Sequence, residues 1–115
     1  MTGPLHQWDV VKTRIRPEDR DEHFAVVLSR EEICQSEHLR QVNVLFGTSK
    51  RPAESAGELE VILNGADGLE RQTLFNCGQI YRIEKLRISV VAGSVTLARR
   101  RAFGRKIVHS FRLPL

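Results

Sequence analysis

The side chains able to do phosphate chemistry fall into three short groups. Lys12, Arg14 and Arg16 alternate in WDVVKTRIRP, so on a strand they share one face, and a single-faced row of cations is a track for phosphates. Arg20 and His23 follow in RPEDRDEHF. Imidazole exchanges protons near neutral pH and, once protonated, stabilises phosphate charge. Thr48 and Ser49 come after VNVLFG and directly before Lys50 and Arg51, which puts two hydroxyls at a strand end beside cations, where they orient or polarise a phosphate. Each group also has a plainer reading. Thr48-Ser49 forms turns readily, His23 suits a strand entry, and Glu18, Asp19, Asp21 and Glu22 offset the basic run. Arg71 either faces a phosphate or pairs with Glu70 or a cross-strand carboxylate.

The whole chain permits such a partner without demanding it. It has 115 residues, enough for one domain (1–115) with a single modest core. Its net charge is +4, its pI is near 9.6, and arginine, whose planar fork matches phosphate oxygens, supplies much of the excess. Cys34 and Cys77 are too few and too far apart for a disulfide scaffold or a zinc site, and both read as reduced packing residues. His6, His38 and His109 show no metal-ligand spacing, so neither metal nor cofactor is expected. No apolar run approaches the roughly 20 residues of a membrane helix, and MTGPLHQWD lacks a signal-peptide layout, so a cytoplasmic protein with no membrane partner is expected.

The elements that must position these groups are mostly strands. Trp8–Ile15 reads as the first, and Arg16–Glu22, with Pro17, as a charged connection. Phe24–Leu28 (FAVVL) is continuously apolar, which predicts burial of both faces. Ser29 precedes Glu32 by three, the spacing of a capping box, predicting a short helix over Ser29–Glu37. Strands follow at Gln41–Phe46, Glu58–Leu63, Thr73–Cys77 and Ile88–Ala92, separated by breaks at Gly47–Pro52 and Asn64–Gly68 and by a corner at Gln79–Ile83. A last helix is expected from about Ser94, with Phe103, Ile107 and Phe111 on one face and Gly104 weakening its continuity. Arg99, Arg100 and Arg101 span most of that helix's circumference and read, with Arg105 and Lys106, as a solvated face. The sum is a mainly β (α+β) fold, a small, strongly bent sheet or barrel with helical covers.

The stretch GLERQTLFNCGQIYRIEKLR, Gly68–Arg87, carries more than composition does. At Gly68, Leu69, Arg71, Gln79, Ile80, Ile83, Lys85 and Arg87, with Thr73 and Glu84 as close replacements, it resembles the MazF/PemK toxins, bacterial proteins that cut messenger RNA. The resemblance implies an SH3-like barrel of five to seven strands with a short helix and a C-terminal helix. It implies the toxin of a type II toxin–antitoxin pair: a homodimer whose groove takes single-stranded RNA and, alternatively, its antitoxin. The activity implied is metal-independent RNA cleavage leaving a 2′,3′-cyclic phosphate. Such cleavage requires a base, an acid and charge-stabilising donors at one phosphate.

Carried onto this chain, the resemblance places Thr48, with Ser49, at the family's catalytic hydroxyl. Lys12, Arg14, Arg16, Arg71 and Gln79 fall beside the RNA, Gln79 alternatively as a barrel-corner hydrogen bond. The chain departs from the pattern at two places. His23-Phe24 stands where the family has Arg-Pro, leaving His23 and the nearby Arg20 as candidates for the missing cation. Gly78 stands where many relatives have an acid, and Asn76 where some have an arginine. Those losses keep two non-nuclease readings open: a CcdB-like toxin that blocks DNA gyrase by binding, and a non-toxic binding barrel of the same fold.

Overall fold

Three apolar runs decide the architecture. In the computed structural model, which describes residues 4–115, Asp9–Thr13 (β1), His23–Val27 (β2) and Gln41–Thr48 (β3) pair antiparallel. Val10 stands opposite Val26, Val11 opposite Ala25, and Val26 opposite Leu45. Successive strand side chains point to opposite faces. Val10, Val26 and Leu45 therefore enter one core, while Val11, Ala25, Val27 and Val44 enter a second. All seven are fully buried, the two-faced burial expected of FAVVL.

Four further strands complete one antiparallel, seven-stranded sheet: Glu60–Leu63 (β4), Thr73–Asn76 (β5), Tyr81–Glu84 (β6) and Val90–Ser94 (β7). The order is β4-β5-β3-β2-β1-β7, with β6 paired to β3. Strand β3 makes the curl. Its first half pairs with β6, from Gln41–Glu84 to Val44–Tyr81, and its last two residues pair with β5. The sheet thus bends into a half-barrel whose edges, β4 and β7, stay apart.

The helix Leu97–Phe111 (α2) covers the first core with Phe103, which packs against Phe75 at a ring separation of 6.0 Å. The short helix Glu31–Gln35 (α1) covers the second with Cys34. The sheet, the short helix and the closing helix together form the expected fold class.

Local expectations fail where a distant partner intervenes. The capping box does not form: Ser29 Oγ accepts the Asn43 amide of β3 at 2.8 Å, so Arg30 is the N-cap and α1 begins at Glu31. The far end of α1 is closed by Lys85 of β6's exit, whose Nζ donates to the Ile33 and Ser36 carbonyls at 2.5 and 2.8 Å. β7 runs through Ser94, so α2 starts three residues later than its apolar spacing suggests, and it continues through Gly104. Phe111 is exposed rather than on the core face, as is Ile80, whereas Ile83 is buried. Among the described residues, no helix is long and apolar enough to cross a membrane.

Asp67 ties the turn before β5 to α2. Its carboxylate is wholly buried and accepts from the Asn64 amide at 3.2 Å, the Thr96 amide at 2.9 Å and the Arg99 guanidinium. Arg99 also reaches Asn64 Oδ1, and Arg100 Nε binds the Val95 carbonyl at 2.9 Å. Two of the three helix arginines are therefore structural, not a solvated face; Arg101 is exposed. Beside Asp67 the chain turns at Gly68, φ +93°, where a Cβ would lie 2.6 Å from the Ala92 carbonyl. Across that contact a Cβ on Gly93 would lie 2.3 Å from the Asp67 carbonyl. Backbone meets backbone here, so neither side yields. Gly93→Ala is expected to cost about 1–3 kcal/mol, read as a lower urea midpoint at unchanged slope.

Both cysteines are free and buried, and burial pushes each thiol up to about 11. The folded chain should therefore resist iodoacetamide at pH 8 and react at both positions once unfolded. Because the native thiols hold their protons longer than the unfolded ones, this contribution to stability is present below pH ~9 and lost as pH rises toward ~11.

Candidate nucleic-acid site at the strand ends

The strands β1, β2 and β3 reach the same end of the sheet. β1 carries Lys12 and is followed by Arg14; β2 opens with His23; β3 closes with Thr48, followed by Ser49 and Lys50. These residues, with Arg20, border a cleft of about 480 Å³. The β2–β3 ladder pairs Ala25 with Phe46. Continued two residues, the same register sets His23 across from Thr48, with both side chains on one face.

The cleft's charge is mostly unspent. Among the described residues, Lys12, Arg14, Arg20 and Lys50 form no ion pair. Lys12 Nζ instead sits 5.2 Å from the Phe24 ring centroid. The carboxylates of the wall are Asp21 and Glu22, and Glu22 is held by the Ser89 hydroxyl at 2.5 Å. Thr48 Oγ1 accepts the Lys50 amide at 3.3 Å, which leaves its own proton free to donate.

A smaller cleft of about 190 Å³ adjoins the first, sharing Lys12, Glu22 and Ser49 and adding Glu70 and Arg71. Arg71 makes no ion pair with Glu70. Seven of the nine residues singled out in the sequence thus line one or both of these two clefts: Lys12, Arg14, Arg20, His23, Thr48, Ser49 and Arg71.

Two lie outside it. β1 stops at Thr13, short of Ile15, and the chain then turns, with the Arg16 amide bound to Asp19 Oδ2 at 2.9 Å. Arg16 is therefore off the strand, and the three-cation row is reduced to Lys12 and Arg14. Gln79 is exposed in the turn before β6 and makes no hydrogen bond among the described residues, so it is not a barrel-corner bond. Continuing the β3–β6 register brings it abreast of Phe46.

Features beyond the sequence reading complete the neighbourhood. Phe46 meets the His23 ring edge-on at 6.4 Å and the Tyr81 ring at 5.0 Å. The segment after Lys50 is latched by Arg51, which forks onto both Glu60 oxygens at 2.8 and 2.9 Å and reaches the Ser55 carbonyl. Burial pushes the Glu60 carboxyl up, but the Gly57 amide and Arg51 outweigh it and hold it below the usual carboxylate range. None of these pairs has a signature in local spacing.

No protein-family model and no curated protein matches the chain in sequence. Solved structures match it closely in shape. An endoribonuclease in complex with its cognate antitoxin, from a mycobacterial species, superposes with a TM-score of 0.76 at 17% identity, covering 100% of this chain and 99% of that one. The Mycobacterium tuberculosis toxin MazF-mt6 gives 0.76 at 18% identity, covering 93% and 99%. The MazE-MazF complex from Deinococcus radiodurans gives 0.74 at 12% identity, covering 97% and 99%.

This is the MazF fold.

The likeness first carried by Gly68–Arg87 holds over the whole chain, and the positions doing the carrying are architectural. Gly68 makes the backbone contact, Ile83 is core and Lys85 caps α1. Identities this low establish the MazF fold and assign no residue a role. The MazF-like sheet here opens β2 with His23 rather than arginine.

Proposed function

We propose that this chain is the toxin of a type II toxin–antitoxin pair and that it cleaves single-stranded RNA without a metal. The observation that carries this reading is that His23 and Thr48 line one cleft with Lys12, Arg14, Arg20 and Lys50, none of them ion-paired among the described residues. In the reaction, the RNA 2′-oxygen attacks the adjacent phosphorus as His23 takes its proton. The Thr48 hydroxyl donates to a non-bridging oxygen, while Arg20 and Lys12 offset the added charge. The bond to the 5′-oxygen breaks, solvent in the open cleft protonates that oxygen, and a 2′,3′-cyclic phosphate remains. Ser49 lies beside the phosphate, and Arg14 and Arg71 continue the track along the strand on either side.

The partners follow from the same reading. Two of the similar structures are complexes with an antitoxin, and an antitoxin segment occupying this cleft would exclude RNA from it. The chain acts as a homodimer in the cytoplasm; exposed Val90, Val91 and Leu97 on the free edge of β7 and the start of α2 suit a covered surface.

The test is incubation of the purified protein with a long RNA in EDTA, followed by mapping of the ends. Discrete cuts bearing cyclic phosphates are expected, weakening as salt rises. Cleavage abolished by chelator sinks the metal-free mechanism. Intact RNA with arrested gyrase supercoiling would select the CcdB-like reading, which His23 at the head of β2, in place of the family's arginine, favours.

A further inference from the structure

One aromatic ring comes from each of β2, β3 and β6, and the three lie side by side. His23, Phe46 and Tyr81 alternate edge to face, at interplanar angles of 85° and 81°, and all three are only partly buried. The register explains the row: Phe46 lies between His23 and the β6 strand that opens at Tyr81, on the face that carries Thr48. Phe46 precedes Thr48 by two residues, about 7 Å along a strand. That is comparable to the distance from a nucleotide's phosphate to its base. Phe46 and Tyr81 each pack in part against the second core and keep part of their surface open, Phe46 on the face of β3 that carries Thr48.

We propose that Phe46 and Tyr81 form a stacking subsite for one unpaired nucleobase, belonging to the nucleotide whose phosphate lies at His23 and Thr48. The inference rests on the RNA reading above and adds a subsite to it. Every base offers a π-face, so the subsite holds the strand without selecting strongly among bases. Cations secure the phosphate and the rings secure the base. Together they set which phosphodiester faces the His23–Thr48 pair.

The probes are 2′-deoxyuridine decamers, which lack the attacking hydroxyl, carrying one 2-aminopurine or one abasic site scanned along the strand. In the wild-type chain one position should show quenched 2-aminopurine fluorescence. Removing the base there should weaken binding by roughly five- to hundredfold, the worth of one stacked base. Phe46→Leu and Tyr81→Leu should bind the intact decamer as weakly as the abasic one, with affinity for the abasic decamer unchanged. Tyr81→Leu leaves the His23–Phe46 contact in place, so it remains informative if Phe46→Leu fails to fold. Equal weakening for intact and abasic decamers would mean the rings only support the fold and would overturn the subsite. So would indifference to the loss of every base. RNA cut in EDTA with no base-dependent position would sink the subsite alone; failure of every decamer to bind would sink it together with the RNA reading.

Discussion

His23→Ala is expected to lower the single-turnover rate of the proposed RNA cleavage by about 10²–10⁴-fold, the usual worth of a positioned proton-transfer group. Thr48→Val, which keeps the strand's shape and removes only the hydroxyl, costs about 10²–10³-fold, as loss of one transition-state donor does. Both variants should retain affinity for a 2′-deoxy strand within a few fold, because the phosphate track is untouched. A rate unchanged by either substitution would remove the pair from the chemistry and leave the cleft as a binding surface.

Asp67→Ala carries the largest expected loss of stability, about 3–5 kcal/mol, because it strands a guanidinium and two amides that one buried carboxylate satisfies. In a domain of this size that is a fall in melting temperature of about 12 °C or more. Arg99→Ala should cost less: its guanidinium is 30% exposed, and Asp67 would keep both backbone donors. Thermal unfolding of the two variants side by side tests the asymmetry. Equal losses would mean that the charge pair, not the carboxylate's capping of two elements, is what matters.

How legible these features are from the chain depends on the range of the interactions involved. The run Phe24–Leu28 is readable because burial of both faces leaves no polar residue in its middle, and that is a local mark. The capping box at Ser29 and Glu32 is equally local in spacing and is overridden, since the serine hydroxyl finds the Asn43 amide fourteen residues on. Arg99 looks solvated for the same reason: Asp67, its partner, is on another element. At the site, Lys12, His23 and Thr48 are visible as chemical types, but their meeting at one strand-end cleft depends on how three strands are laid side by side, which no spacing within one strand contains. Arg16 shows the reverse error. Alternation continues in the sequence, yet Asp19 captures the Arg16 amide and ends the strand's path. Phe46 and Tyr81 pass unnoticed because each is an ordinary aromatic in its own strand and becomes a row only across three.

The pairing of β1 with β7 has a consequence in time. Val10 must find Gly93, so the cleft's first strand is not secured on that side until β7 has been made. Contacts this distant in sequence fold slowly, on the millisecond-to-second scale typical of sheet proteins. α2, which closes the core over Phe75, is still later to emerge. A growing chain therefore carries every residue of the cleft long before it holds them in place.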